Sequence, residues 1–92
     1  MKRHPDYLLS EVAGTNVLIP IGKAVANFNE LVSLNGMGVT VWNLLEEETT
    51  PDVIVDAILA EYDVDRETAA ADIAVFLETL RRAGCLIEED AK

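Results

Sequence analysis

The chain has 92 residues, 50% of them apolar, which is enough for one compact domain with one core and too few for two. Seventeen acidic residues stand against seven basic ones, giving a formal charge of −10, so the surface opposes phosphate backbones and anionic lipid. Nucleic acid and membrane surfaces are poor partners on that ground, and a domain this small has little room for an internal active site.

The N-terminal Met1-Lys2-Arg3-His4-Pro5-Asp6 has the positive start of a signal peptide, but no apolar stretch of suitable length follows, and the expected location is the cytoplasm. His4, the single histidine, is expected in a disordered N-terminus. Tyr7 to Ala13 reads as a first strand, Gly14-Thr15-Asn16 as a turn, and Val17 to Ile21 as a second strand with Val17, Ile19 and Ile21 on one face. Pro20 cannot donate to a strand ladder and belongs near the end of that second strand. After the small-residue stretch Gly22 to Asn27, a third strand runs from Phe28 to Leu34, with Phe28, Val32 and Leu34 able to share a face.

From Asn35, a good N-cap, the period becomes helical: Met37, Val41, Leu44 and Leu45, with Trp42, carry a first helix to about residue 47. The run Glu46-Glu47-Glu48 reads as its solvated end. Thr50-Pro51-Asp52 starts a second helix, since threonine caps, proline is preset for the first helical position and an acid suits the positive end of the dipole. Ile54, Ile58 and Tyr62 form its stripe, with Val55 and Leu59 beside it. Asp63 to Asp65 breaks and recaps the chain, and a third helix follows from Arg66 to Ala83 with the seam Ile73, Phe76, Leu77 and Leu80. Arg81 and Arg82 suit its negative end, and Gly84 supplies a left-handed stop. Cys85-Leu86-Ile87 is expected to pack back on the core and Glu88 to Lys92 to fray, leaving an ordered core over about residues 6–88 of a single domain.

Three strands followed by three helices make an α+β domain, a three-stranded antiparallel sheet followed by a three-helix bundle, winged helix-turn-helix-like in layout. That layout leaves the function open. A winged-helix DNA-binding domain needs basic residues on its recognition helix, yet the second helix has none and the third has only Arg66, Arg81 and Arg82 at its ends. A carrier protein places its prosthetic-group serine after an aspartate at a helix start, whereas Ser33 follows Val32 in a strand. An enzyme would need more than lone His4 and lone Cys85, and no glycine-rich phosphate loop is present. Cys85 reads as a small buried apolar residue, so no catalytic residue, metal ligand or cofactor is expected.

The order of Leu34-Asn35-Gly36, Val41-Trp42-Asn43-Leu44-Leu45, Thr50-Pro51-Asp52-Val53, the Glu61-Tyr62-Asp63-Val64-Asp65 break, Phe76-Leu77 and the closing Gly84-Cys85-Leu86-Ile87 resembles the PqqD family, from about Tyr7 to Ile87. Cys85 stands where a leucine is commoner. The resemblance implies a RiPP recognition element, RiPP meaning ribosomally synthesised and post-translationally modified peptide. Such a domain is a non-enzymatic peptide chaperone: it binds the leader of a precursor peptide as a further strand beside the third strand and against the third helix. It then presents the core peptide to a modifying enzyme such as a radical S-adenosylmethionine maturase or a lasso-peptide protease or cyclase. The peptide-binding residues this points to are Glu30, Leu31, Val32, Ser33 and Leu34 on the strand and Asp72, Val75, Phe76 and Thr79 on the helix.

Plainer readings of the same residues stand beside this one. Phe76 and Val75 suit a wide core face, Asp72 a solvated helix position, and Arg81 and Arg82 either dipole complementarity or pairing with an acidic leader residue. An open edge on the third strand also admits self-pairing, so a homodimer or homo-oligomeric interaction domain competes with peptide binding.

Overall fold

The computed structural model describes residues 1–27 and 32–88. In chain order its elements are β1 (Lys2–Arg3), β2 (Tyr7–Val12), β3 (Thr15–Pro20), a 3-10 helix (Gly22–Asn27), β4 (Val32–Leu34), α1 (Gly36–Leu44), α2 (Pro51–Glu61), α3 (Arg66–Ala83) and β5 (Leu86–Ile87). Phe28, Glu30 and Leu31, assigned above to the third strand, lie outside the described residues.

β2 and β3 are joined through Ala13 and Gly14, whose φ angles of 53° and 82° give the primed turn whose twist matches the paired strands. The turn therefore falls earlier than Gly14-Thr15-Asn16, and Thr15 and Asn16 already pair with Val12 and Glu11. The resulting antiparallel sheet has the order β2-β3-β4. Leu9 lies opposite Leu18, and Leu18 opposite Val32, which places these three side chains on the core face. Val17 and Ile19 share a face as expected from the sequence, but it is the one opposite Leu18: Val17, itself buried, is flanked there by Ser10 and Ser33, while Leu18 joins the main core cluster. With apolar residues at consecutive positions, alternation alone does not say which set points inward.

The helices complete the core with Val41, Trp42, Leu45, Ile54, Ile58, Ile73 and Leu80, all buried. Each helix begins on a side chain that satisfies a free backbone amide. The Gly38 N–H donates to Asn35 Oδ1 at 2.8 Å, the Val53 N–H to Thr50 Oγ1 at 3.3 Å, and the Thr68 N–H to Asp65 Oδ2 at 3.1 Å. α1 stops at Leu44, short of the expected residue 47. Leu45 turns into the core, and three adjacent glutamates at the negative end of a helix disfavour its extension. α3 ends on Gly84, at φ 81°.

The N-terminus is ordered where disorder about His4 was expected. β1 pairs antiparallel with β5, Lys2 opposite Ile87 and Arg3 opposite Leu86. The Arg3 N–H donates to the Leu45 carbonyl at 2.8 Å, and its guanidinium lies 5.5 Å from the Trp42 ring centroid and donates to the Trp42 carbonyl at 3.2 Å. A cation thus meets the carbonyl end of α1 and an aromatic face together, an arrangement of complementary charge that composition could not reveal.

Two outcomes follow. Ala13→Asn replaces a residue disfavoured at positive φ with one that tolerates it, and is expected to raise stability by up to about 1 kcal/mol in denaturant unfolding. The hydroxyl and amide of Thr68 hold the Asp65 carboxyl below its ordinary value. A carboxyl lowered in the folded state stabilises when ionised, and that contribution is lost as the pH falls through the folded value. The Tm difference between the native protein and Asp65→Ala, followed by circular dichroism from about pH 7 to about pH 3, is expected to narrow with acid.

Candidate functional site

Among the described residues β4 pairs with β3 alone, so its second edge is open. Beside that edge runs a groove of about 480 Å³. Val32 and Ser33 line it from β4, Asn35, Met37, Gly38 and Val41 from the strand-to-helix junction and α1, and Asp72, Ile73, Val75, Phe76 and Thr79 from α3.

The sequence builds this groove through one tight junction. Asn35 ends β4 and caps α1 in a single residue, so the first turn of the helix folds back beside the strand. A Cβ at Gly38 would stand 3.4 Å from Cε1 of Phe76 and 3.3 Å from both Leu34 Cβ and Asn35 Oδ1. Glycine therefore lets the α1 backbone meet the Phe76 ring directly.

Val32, Val41 and Ile73 are buried and give the groove an apolar floor, while Ser33, Asp72 and Thr79 give it a polar, exposed rim. Phe76 is half-buried and packs on the core. Val75, by contrast, is a large apolar side chain left 68% exposed. The Thr79 hydroxyl donates to the Val75 carbonyl at 3.0 Å, so its hydrogen-bonding capacity is partly used within the helix.

Of the residues expected to form a site, Val32, Ser33, Asp72, Val75, Phe76 and Thr79 come together around this groove. Leu34 is not among the residues that line it; its side chain is buried in the core, as is that of Val32, which does reach the groove. Glu30 and Leu31 lie outside the described residues. Sequence reasoning missed Asn35, Met37, Gly38, Val41 and Ile73 as lining residues. Asn35 was legible as a cap, but only the approach of α3 gives it and Gly38 a place in a groove.

Cys85 is fully buried, and burial pushes its thiol up to about 11. The thiolate needed for nucleophilic chemistry is thus scarce near neutral pH. No group of three or more His, Cys, Asp or Glu side chains among the described residues is placed to hold a metal ion. No helix among them is long and apolar enough to cross a membrane.

A three-stranded antiparallel sheet followed by three helices, with a groove at its open edge, defines an α+β domain of winged-helix-like layout. The family model for Coenzyme PQQ synthesis protein D (PqqD) matches residues 15–86, and the chain belongs to that family. It is similar to TbiB1 in complex with the TbiA(beta) leader peptide, with 32% identity over 98% of this chain and 99% of that one and a TM-score of 0.74. It shares its fold with lasso peptide synthetase B1 complexed with the leader peptide, at 22% identity over 95% of this chain and 96% of that one and a TM-score of 0.70. No curated protein matches the sequence.

Two neighbours on α3 separate packing from exposure. Phe76→Ala is expected to cost about 1–3 kcal/mol in chemical denaturation, less than a fully buried phenylalanine, while Val75→Ala stays within about 0.5 kcal/mol of the native protein.

Proposed function

We propose that this protein is a RiPP recognition element: it binds the leader segment of a ribosomal precursor peptide and presents the peptide to a modifying enzyme in the cytoplasm, performing no chemistry itself. The observation that carries this reading is the open edge of β4 lying directly beside an apolar-floored groove whose far wall is α3. An extended peptide added to that edge gains main-chain hydrogen bonds, and every second side chain then falls toward the groove. Val32 and Ser33 supply the edge and, with Asp72, Val75, Phe76 and Thr79, the wall contacts. Leu34 takes part through its backbone, and Glu30 and Leu31 belong to the peptide-binding set in this reading.

The resemblance to two proteins bound to leader peptides supports it. The enzyme served is of the radical S-adenosylmethionine or lasso-peptide protease or cyclase kind. Holding the leader raises the local concentration of the core segment at that enzyme, which accelerates modification without a catalytic group on this domain. A nucleic-acid reading has nothing comparable in its favour, since α2 carries no lysine or arginine and the net charge is −10.

The test is a titration of isotope-labelled protein with the precursor peptide encoded beside its gene. Backbone amide shifts concentrated at Val32–Leu34 and along α3 from Asp72 to Thr79 are expected. Val75→Asp, at an exposed position, is expected to weaken binding about tenfold or more while leaving helical content unchanged. Undiminished affinity in that variant would take α3 out of the site, and no shift with the native protein would overturn the function itself.

A further inference from the structure

A second hollow, of about 550 Å³, opens off the groove, and Val32 and Thr79 line both. Its other walls bring Lys23 from the 3-10 helix together with Arg81 and Arg82 from the end of α3. Three of the seven basic residues of a strongly acidic chain therefore meet at one place, with Asp6 as the one carboxylate among the described residues that line it.

The three cations are not equivalent. Arg81 is held by Glu88 through two contacts, Nε to Oε1 at 2.8 Å and Nη2 to Oε2 at 3.0 Å, and also pairs with Glu78. Its charge is largely answered within the protein. Arg82 stands 3.6 Å from the other Glu78 oxygen, too long for a strong hydrogen bond, and its side chain is 75% exposed. Lys23 is exposed on the facing wall. Among the described residues Arg82 and Lys23 are thus the cations with charge left to offer to a ligand.

The opposite end of the groove has the reverse sign, since Asp72 lines it there and none of its lining residues is a cation. Asp72 and Thr79 are two turns apart on α3, about 10 Å, which an extended peptide covers in about three residues. Resting on the peptide-binding reading above, we infer that the hollow is a subsite for an acidic side chain of the bound peptide, placed where the peptide strand runs past the Val32 end of β4. The groove is then electrically polar along its length, and that polarity fixes the direction and register of the incoming strand. Charge patterns of this kind set orientation and choice of partner more than gross affinity. The contrast with Asp72 sharpens the discrimination, since a carboxylate is repelled at that end of the groove and attracted at this one.

A displayed library of random twelve-residue peptides, selected against the full-length protein, tests this with no natural ligand needed. Selected peptides that shift the amides of β4 and α3 are expected to carry Asp or Glu at one fixed spacing from their apolar anchors. The double variant Lys23→Glu, Arg82→Glu changes two exposed side chains, so circular dichroism is expected to match the native protein. It should bind those peptides about tenfold more weakly, and their Asp→Asn or Glu→Gln versions nearly as well as the native protein does. Peptides that occupy the groove with no acidic preference, or that ignore the double reversal, would overturn the subsite and leave the groove standing. Selected peptides that never perturb β4 and α3 would overturn both.

Discussion

The contacts of Gly38 with Leu34, Asn35 and the Phe76 ring tie the groove to the core. A Cβ at Gly38 would stand 3.3 Å from Leu34 Cβ and Asn35 Oδ1 and 3.4 Å from the ring, so these neighbours would have to give by a few tenths of an ångström. Such a shift bears on two things at once: the core around Trp42 and Val41, which α1 contributes, and the groove beside β4. Core and groove share one set of contacts, because close-packed interiors transmit displacement rather than absorb it. Stability and recognition are therefore not separable at Gly38, Phe76 or Val41, whereas Val75, on the next position of the same helix, is nearly free of the core.

Charge is arranged as deliberately as packing. Most of the acidic excess lies on solvated helix faces and ends, where it keeps the domain soluble and unreceptive to polyanions. Three of the seven cations are placed at carbonyl-rich ends instead: Arg3 at the end of α1, and Arg81 and Arg82 at the end of α3. The N-terminal strand uses the first of these to bind the helical layer to the chain end, since β1 pairs with β5 just beyond α3. The second group, left partly unanswered, gives one end of the groove its sign.

The helices were legible because their signals are local. Asn35, Thr50-Pro51 and Asp65 each cap the helix they were read to cap, and Gly84 ends α3 in the left-handed conformation. What escaped the sequence depended on contacts between distant residues. Ala13 gives no sign of a positive φ, yet strand twist demands one at the turn. Lys2 and Arg3 look like a loose, charged beginning until Leu86 and Ile87 provide a strand beside them. The Leu34 side chain is buried in the core, so only its backbone is left for the strand edge on which the sequence placed it. Along α3 the period put Asp72, Val75, Phe76 and Thr79 on one side of the helix; that this side faces β4 is a fact of topology.

Main-chain pairing and side-chain burial contribute unequally to binding at the β4 edge. Each main-chain hydrogen bond that an incoming peptide gains there is worth about 0.5–1.5 kcal/mol net. Association costs at least about 4 kcal/mol in lost freedom, so a few such bonds alone do not hold a peptide. Side chains entering the groove change the balance, since burying about 100 Å² of apolar surface contributes about 2.5 kcal/mol. The same arithmetic explains how an open edge avoids indiscriminate pairing. β2 also forms an outer strand of the sheet, with Leu8 and Val12 exposed on it, but the groove lies against β4. Hydrogen bonding is available to any extended chain, while affinity goes to one whose alternate side chains fit between β4 and α3.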